Sequence, residues 1–440
     1  MPGRSPSKSK KVGVIGCGYV GLVTGACFSK MGHDVFCVDN DSSKIDVLKK
    51  GKPPFFEPGL PELLTKAKRQ GKLRFGSSIA EMMRHAEVVF ICVGTPPRSD
   101  GSADLSAIEA VAREIARNLS HYTLIVEKST VPVATGEQVA RVIGGENSKN
   151  IPFDVASNPE FLREGTAIED FFEPDRVVFG VNSPRAEKML RELFSSVKAP
   201  VIVTDIKSAE LIKHASNSFL ATKIAYANAL SRICDLIGAD VTQVIKGVGM
   251  DKRIGRAFLN PGLVGGFCLP KDLEAFYHIS KRMGYDFKLL QAVKEIHETQ
   301  KDHVLNKLEE ELWNLEGKTV AILGLSFKPN TDDLRFAPSL DIVKRLLSRG
   351  VLIRAYDPAS MDKAKQILGN HTVSFAQDPY ACLKGAHAAI LVTEWDEFGG
   401  LDFARVKKEM ALPVLIDVRN YWDSAKLKSL GFRYRGIGRN

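Results

Sequence analysis

Cys268 stands in the run Gly265-Gly266-Phe267-Cys268-Leu269-Pro270-Lys271-Asp272. The thiolate is the nucleophilic form of cysteine, and a nearby cation favours it. Lys271 supplies that cation, and Asp272 beside it could take a proton, directly or through water. The two glycines let backbone pack close to the thiol. Lys213 and Asn217 are four residues apart in a stretch with helical spacing, so they share a face. An ammonium and an amide on one face suit a developing oxyanion, although a solvated helix surface fits the same spacing. A third set is Gly16-x-Gly18-x-x-Gly21, with Asp39 18 residues beyond Gly21. Such glycines admit a pyrophosphate to a helix N-terminus, and the acid accepts hydrogen bonds from a ribose and repels a 2′-phosphate. Asn40, not arginine, follows, so NAD is expected rather than NADP. A nicotinamide site and a nucleophilic thiol in one chain imply an oxidation that passes through an acyl-enzyme.

These groups need elements to hold them. Residues 11–16 read as a short buried strand, followed by the glycine loop and an apolar helix to about Met31. Gly32-His33 makes a turn, and residues 34–39 form the next strand, completing a βαβ unit. Further strands are expected at 88–93, 124–128 and 153–157, with helices between them, which describes a doubly wound α/β domain. Residues 208–237 contain no Pro or Gly and read as one long helix stopped by Gly238; two shorter helices are the alternative. From Gly317 the βαβ pattern restarts, with strands at 319–323, 351–356 and 388–393 and a helix near 339–348. The second copy lacks the triple-glycine loop and is not expected to hold a dinucleotide in the same way. The expected fold is α/β: two Rossmann-like doubly wound domains joined by a long central helix and a helical middle region. The expected divisions are a disordered basic tail at 1–10 and domains at 11–205, 206–310 and 311–440.

Composition narrows the function classes. The chain has 440 residues and 44% hydrophobic residues, ordinary for a globular protein. Its net charge is +9, but the basic residues are dispersed and no nucleic-acid motif occurs, so anionic small molecules fit better than nucleic acid. No apolar run reaches the ~18 residues of a membrane span. The polar N-terminus has no apolar core of a secretory signal. Seven scattered cysteines without metal-ligand spacing favour a reducing cytoplasm and no metal.

The ordered motifs are more specific still. They are Gly18-Tyr19-Val20-Gly21-Leu22, Val93-Gly94-Thr95-Pro96, Lys128-Ser129-Thr130-Val131-Pro132 and Ser157-Asn158-Pro159-Glu160-Phe161-Leu162-Arg163-Glu164-Gly165. Lys213 and Asn217, Arg253-Ile254-Gly255, the Cys268 run, residues 327–335 and Asp417-Val418-Arg419-Asn420 complete the series. From Lys11 to its end the chain resembles the UDP-glucose/GDP-mannose dehydrogenase family, most nearly its UDP-glucose 6-dehydrogenase branch.

The resemblance implies a four-electron oxidation of UDP-glucose at C6 to UDP-glucuronate with two NAD. The first hydride transfer leaves an aldehyde, Cys268 traps it as a thiohemiacetal, and a second transfer gives a thioester that water releases. Capture prevents loss of the aldehyde between the two transfers. By resemblance, Lys213 and Asn217 face C6, Asp272 is the base for the alcohol step, and Glu160 activates water on the thioester with Thr130. NAD contacts fall to Gly16, Gly18, Tyr19, Val20, Gly21, Asp39, Lys44, Thr95, Thr130, Glu164, Lys271 and Arg335. Sugar-nucleotide contacts fall to the turn of Glu160, Phe161, Leu162, Arg163 and Glu164, and to Lys213, Asn217, Lys328 and Arg419. They also fall to Arg253, given by the neighbouring subunit of a homodimer, and to the loop of Phe258, Leu259, Asn260, Pro261, Gly262 and Gly266. Domain 11–205 would hold NAD, 206–310 would dimerise and 311–440 would hold the UDP-sugar. Two positions depart from the family's usual text: Phe267 stands where a small polar residue is common, and Ala229 follows Asn228 where glutamate is common. The same chemistry on GDP-mannose or a UDP-N-acetylhexosamine stays open. So do a two-electron dehydrogenase, which needs no cysteine, and a nucleotide-binding module without turnover.

Overall fold

Alternation of side chains across a strand explains why the first strands are apolar throughout. In the strand Lys11–Ile15, Val12 and Val14 enter one hydrophobic cluster, and Ile15 enters another with Phe36, Val38, Val89 and Ile91. Both faces of this sheet are therefore covered, as a parallel sheet requires. The computed structural model describes residues 9–369 and 372–439. The expected disordered tail falls mainly on residues 1–8, outside the described residues. Lys10 at its end pairs with Glu192 at 2.7 Å.

The chain divides into two compact units between Ser216 and Asn217. In the first unit the strands are β1 (Lys11–Ile15), β2 (Asp34–Val38), β3 (Leu73–Gly76), β4 (Val88–Ile91), β5 (Thr123–Glu127), β6 (Phe153–Ser157), β7 (Val177–Val181) and β8 (Val201–Thr204). They lie in the order β3-β2-β1-β4-β5-β6-β7-β8. All neighbours are parallel except β6 and β7. The expected strands at 11–16, 34–39, 88–93, 124–128 and 153–157 are present, each within about two residues of its expected ends.

In the second unit the strands are β9 (Thr319–Leu323), β10 (Leu352–Tyr356), β11 (Val373–Phe375), β12 (Ala388–Leu391), β13 (Val414–Asp417) and β14 (Arg433–Gly436). Their order, β11-β10-β9-β12-β13-β14, repeats that of the first six strands, and every pairing is parallel. The two halves thus share one Rossmann-like topology. They differ where a dinucleotide would sit. Asp357 follows β10 as Asp39 follows β2, but its Oδ2 accepts from Leu325 N, Ser326 N, Ser326 Oγ and the Trp395 indole N–H. That carboxylate is filled by the chain itself.

The long helix is one continuous element, Ile206–Ile237, of 32 residues. It starts two residues before its expected start and has no break. Gly238, at φ +74°, ends it in the left-handed conformation that favours glycine. Within the second unit, Ala221 and Ala225 of this helix pack with Leu273, Leu290 and Val293. Leu273 belongs to the helix Cys268–Arg282, and the other two to the helix Lys288–Leu312. Small alanines permit the close helix approach that fixes Cys268–Arg282.

Candidate active site

The first unit builds a dinucleotide cradle. Gly18 caps the helix Tyr19–Lys30, and a Cβ placed on it would meet nothing within 4 Å. A Cβ on Gly21 would lie 1.9 Å from the Gly16 carbonyl oxygen. Gly21 is therefore needed for the turn to close, and Gly18 leaves open space in front of the unsatisfied N–H groups of the helix. This is the arrangement a pyrophosphate needs, so these residues fit NAD. Val20, in the first turn, is half-buried, and the Tyr19 ring lies 4.0 Å from that of Phe55. Asp39 Oδ2 accepts from Cys17 N at 2.7 Å and Lys44 Nζ at 3.0 Å, and Oδ1 accepts from Asp41 N. One carboxylate thus ties the glycine loop to the end of β2 and gathers Lys44 beside it. Asp39→Ala should raise the KM for NAD roughly 10-fold, the size of one charged hydrogen bond, and narrow the gap between NAD and NADP. Parallel KM measurements with both nucleotides check this, and an unchanged ratio would remove Asp39 from ribose recognition.

The loops after β4, β5 and β6 form the rest of this unit's site. Thr95 Oγ1 donates to Thr130 O at 2.9 Å, and Ser129 Oγ donates to Val93 O, which stitches two loops together. Glu160 is buried. Its Oε1 accepts from Lys213 Nζ at 3.0 Å and its Oε2 accepts from Leu162 N at 2.6 Å. The Phe161 ring carries the Arg176 guanidinium at 3.6 Å and the Lys213 ammonium at 5.3 Å. Leu162 and Glu164 are half-buried, while Arg163 is exposed and bound to Asp170 through Nε and Nη2. So Glu160, Phe161, Leu162 and Lys213 come together, and the Arg163 guanidinium turns to a neighbouring carboxylate.

Two residues here were not singled out by the sequence reading. Glu57, fully buried, accepts from Gly165 N and Ala167 N and fixes the far end of the 157–167 turn. Nothing local in the sequence marks it. Lys128, inside a motif already noted, is buried with its Nζ 2.9 Å from Asn158 Oδ1. Burial pushes its ammonium down to about 8.

The second unit carries the thiol. Of the seven cysteines, six are buried and Cys268 is exposed; none is in a disulfide. Burial pushes the thiols of Cys27 and Cys92 far up, and that of Cys382 to about 12, which makes them poor nucleophiles. Cys268 is the first residue of its helix, where unpaired N–H groups favour negative charge. In the next turn Asp272 accepts from Lys271 Nζ at 2.6 Å through Oδ1 and from Asn217 Nδ2 at 2.6 Å through Oδ2. Lys271 and Asp272 are both buried. The expected cation, three residues after the thiol, pairs with Asp272, and Cys268 itself stands at a helix N-terminus.

Phe267 lies under two cations: Arg335 at 4.4 Å and Lys271 at 5.6 Å from its ring centroid. Arg335 also makes a bidentate contact to Asp333. Lys328 Nζ is 5.6 Å from the Phe327 ring. The loop of Phe258, Leu259, Asn260, Pro261, Gly262 and Gly266 is held at several points. Asn228 on the long helix donates to Gly262 O and accepts from Gly262 N. Gly266, at φ +83°, sits against the Phe327 ring, where a Cβ would come within 2.6 Å. Leu259 and Pro261 are buried, Asn260 is exposed, and Phe258 is 39% exposed at φ +59°. Arg419 donates to Leu263 O, Phe327 O and Val392 O, so it braces this loop with backbone contacts. Arg253 stands apart, its side chain 89% exposed and bound to Asp251.

Among the described residues, no helix is long and apolar enough to cross a membrane. No group of three or more His, Cys, Asp or Glu among them could hold a metal ion.

Three models of the UDP-glucose/GDP-mannose dehydrogenase family match the chain. They are its NAD binding domain over residues 10–198, its central domain over 207–299 and its UDP binding domain over 321–424. The UDP-glucose 6-dehydrogenase TuaD of Bacillus subtilis is 44% identical over 98% of this chain and 93% of its own length. A UDP-glucose dehydrogenase from the archaeon Pyrobaculum islandicum superposes with a TM-score of 0.92 at 40% identity, covering 99% of both chains. A UDP-D-ManNAc dehydrogenase from Pyrococcus horikoshii gives 0.86 at 28% identity, covering 97% of this chain and 99% of that one.

Proposed function

The chain belongs to the UDP-glucose/GDP-mannose dehydrogenase family, and from that premise we propose that it oxidises UDP-glucose at C6 to UDP-glucuronate. The overall change is UDP-glucose, two NAD and water to UDP-glucuronate and two NADH. Bound NAD takes two electrons in each of the two oxidations. The remaining work falls to this chain. Asp272 receives the alcohol proton through water, with Lys271 and Asn217 orienting its two oxygens. Lys213 and Asn217 stabilise the oxygen at C6 as it gains charge. The Cys268 thiolate adds to the aldehyde carbon, and the resulting hemiacetal is oxidised to a thioester. Water then attacks the acyl carbon while Glu160 takes its proton, the carbon–sulfur bond breaks, and the acid leaves. Phe267, a departure from the family's usual text, keeps Arg335 and Lys271 over its ring.

One observation carries the reading. The exposed thiol in this chain sits on a helix N-terminus, and the next turn of that helix supplies an oriented carboxylate. A two-electron dehydrogenase has no use for it. The substrate reading rests on the relatives' names at 40–44% identity against 28% for the ManNAc enzyme.

The domain divisions at 11–205, 206–310 and 311–440 belong to the same proposal, as do a homodimer and a cytoplasmic location. For the dimer, Phe219, Tyr226 and Ile233 recur every seven residues along the long helix and are 65%, 56% and 52% exposed. An apolar stripe of that period suits pairing with a second helix. For the cytoplasm, seven cysteines outside any disulfide suit a reducing compartment.

The test is NADH formed per mole of sugar consumed, with UDP-glucose, UDP-N-acetylglucosamine and GDP-mannose in parallel. Two NADH with UDP-glucose alone is expected. One NADH would discard the thioester route, and two with another sugar would keep the chemistry and move the substrate.

A further inference from the structure

Lys128 is a buried cation that the mechanism above does not use. Its side chain leaves the end of β5, and it is 4% exposed. Its hydrogen-bond partners are neutral: Asn158 Oδ1 at 2.9 Å and, more loosely, Asn158 O at 3.5 Å. Burying an ammonium against a neutral partner is costly, and a lysine placed so for packing alone could be replaced by methionine with gain. Asn158 is in turn fixed on every side. Its N–H donates to Glu127 O, its Nδ2 donates to Val178 O, and Pro159 and Glu160 follow it directly.

The groups facing Lys128 come from three neighbouring elements. Cys92 at the end of β4, Glu160 in the turn after β6 and Lys213 on the long helix all act on its charge, and the Phe90 ring lies 6.0 Å away. Its own neighbour Glu127 accepts from Ser129 N through Oε1, and burial raises that carboxyl to about 8. The carboxylate acting on the Lys128 charge is Glu160, and the competing ammonium is Lys213, which is bound to that same carboxylate.

We propose that the charged form of Lys128 is a positioning residue for thioester hydrolysis, holding the Asn158-Pro159-Glu160 turn so that the Glu160 carboxylate meets the attacking water. A charge-assisted bond to Asn158 Oδ1 is roughly twice as strong as a neutral one. Loss of the proton weakens that anchor and removes a positive charge beside Glu160. With Lys128 losing its proton near pH 8, the anchor is intact at neutral pH and fades above it. The inference rests on the role given to Glu160 above.

The experiment compares wild type with Lys128→Met and Lys128→Arg from pH 6.5 to 9.5, following acid release after the second NADH in a single turnover. At pH 7 Lys128→Met should release acid roughly 10-fold more slowly, the effect of losing one charge-assisted contact. The ratio of wild type to Lys128→Met should collapse towards one above about pH 9, as the wild-type lysine loses its own charge. Lys128→Arg should keep the fast rate and lose the alkaline fall. KM for NAD and for the sugar should change less than about twofold, because the chemical step alone is affected. A ratio constant across the pH range would overturn the inference and leave Lys128 as a packing residue. Melting curves establish that each variant is folded; the Lys128→Met ratio suffices if the arginine does not fit. A wild type yielding one NADH per sugar would instead overturn the role of Glu160 itself, so the two failures read differently.

Discussion

Cys268→Ser should lose net turnover by at least about 10³-fold, a size seen when a covalent nucleophile is removed, while still binding NAD and UDP-glucose. The hydroxyl is a far weaker nucleophile than a thiolate at neutral pH, and the helix N-terminus cannot close that gap. Without capture, the aldehyde from the first oxidation either returns to alcohol or escapes, and the second oxidation stalls. Calorimetric titration of both ligands checks that the loss is chemical. Mass spectrometry of the wild type during turnover should show an acyl adduct on the Cys268 peptide and on none of the six buried cysteines, whose thiols lie under the protein surface. Two NADH per sugar at an undiminished rate from Cys268→Ser would end the thioester mechanism. A trapped adduct on another cysteine would move the nucleophile.

How far such a site can be read from sequence depends on whether its parts are local. The glycine loop and Asp39 are local: period, spacing and turn chemistry lie within one βαβ unit, and in the structure Asp39 accepts from Cys17 N of that loop. The long helix is legible for the same reason, since the absence of Pro and Gly over 208–237 leaves nothing to break it. The strands β3, β7 and β8 are harder. The strand β3 has four residues, with only Leu73 and Gly76 buried, so its pattern is too short to stand out. Glu57 is invisible for another reason. It binds Gly165 N and Ala167 N more than a hundred residues away, and no periodicity encodes such a contact. The charge arrangement also escapes a linear reading. Lys271 follows Cys268 closely enough to suggest a partner for the thiol, and the structure adds a contact of its ammonium with Asp272. Arg419 reads as a substrate-side arginine; its contacts with three backbone carbonyls and with Glu394 are ones the sequence cannot show. Topology, by contrast, comes through intact in the second half: its strands follow the order of the first, and the missing glycines correspond to the filled carboxylate of Asp357.

Lys213→Ala should strike stability and catalysis together, and the two losses can be separated. Lys213 and Glu160 form a buried pair, each side chain 6% exposed. Removing one partner leaves an uncompensated carboxylate, with a cost of about 3–5 kcal/mol. The melting temperature should therefore fall. Turnover should fall by about 10²–10³, the range for one group that stabilises an oxyanion, with little change in the KM for UDP-glucose. The double variant Lys213→Met/Glu160→Gln removes both charges and lets Met fill the volume, so much of the lost stability should return. Its activity should not return, because the oxyanion at C6 still lacks its cation and the thioester its base. A purely structural ion pair predicts the opposite pattern: activity would rise with melting temperature in the double variant. Equal losses in binding and turnover for Lys213→Ala would instead make Lys213 a binding group only. Measuring melting temperature, KM and kcat on wild type, Lys213→Ala and the double variant therefore distinguishes a catalytic lysine from a packing pair and from a substrate anchor, without any assumption about how the sugar lies.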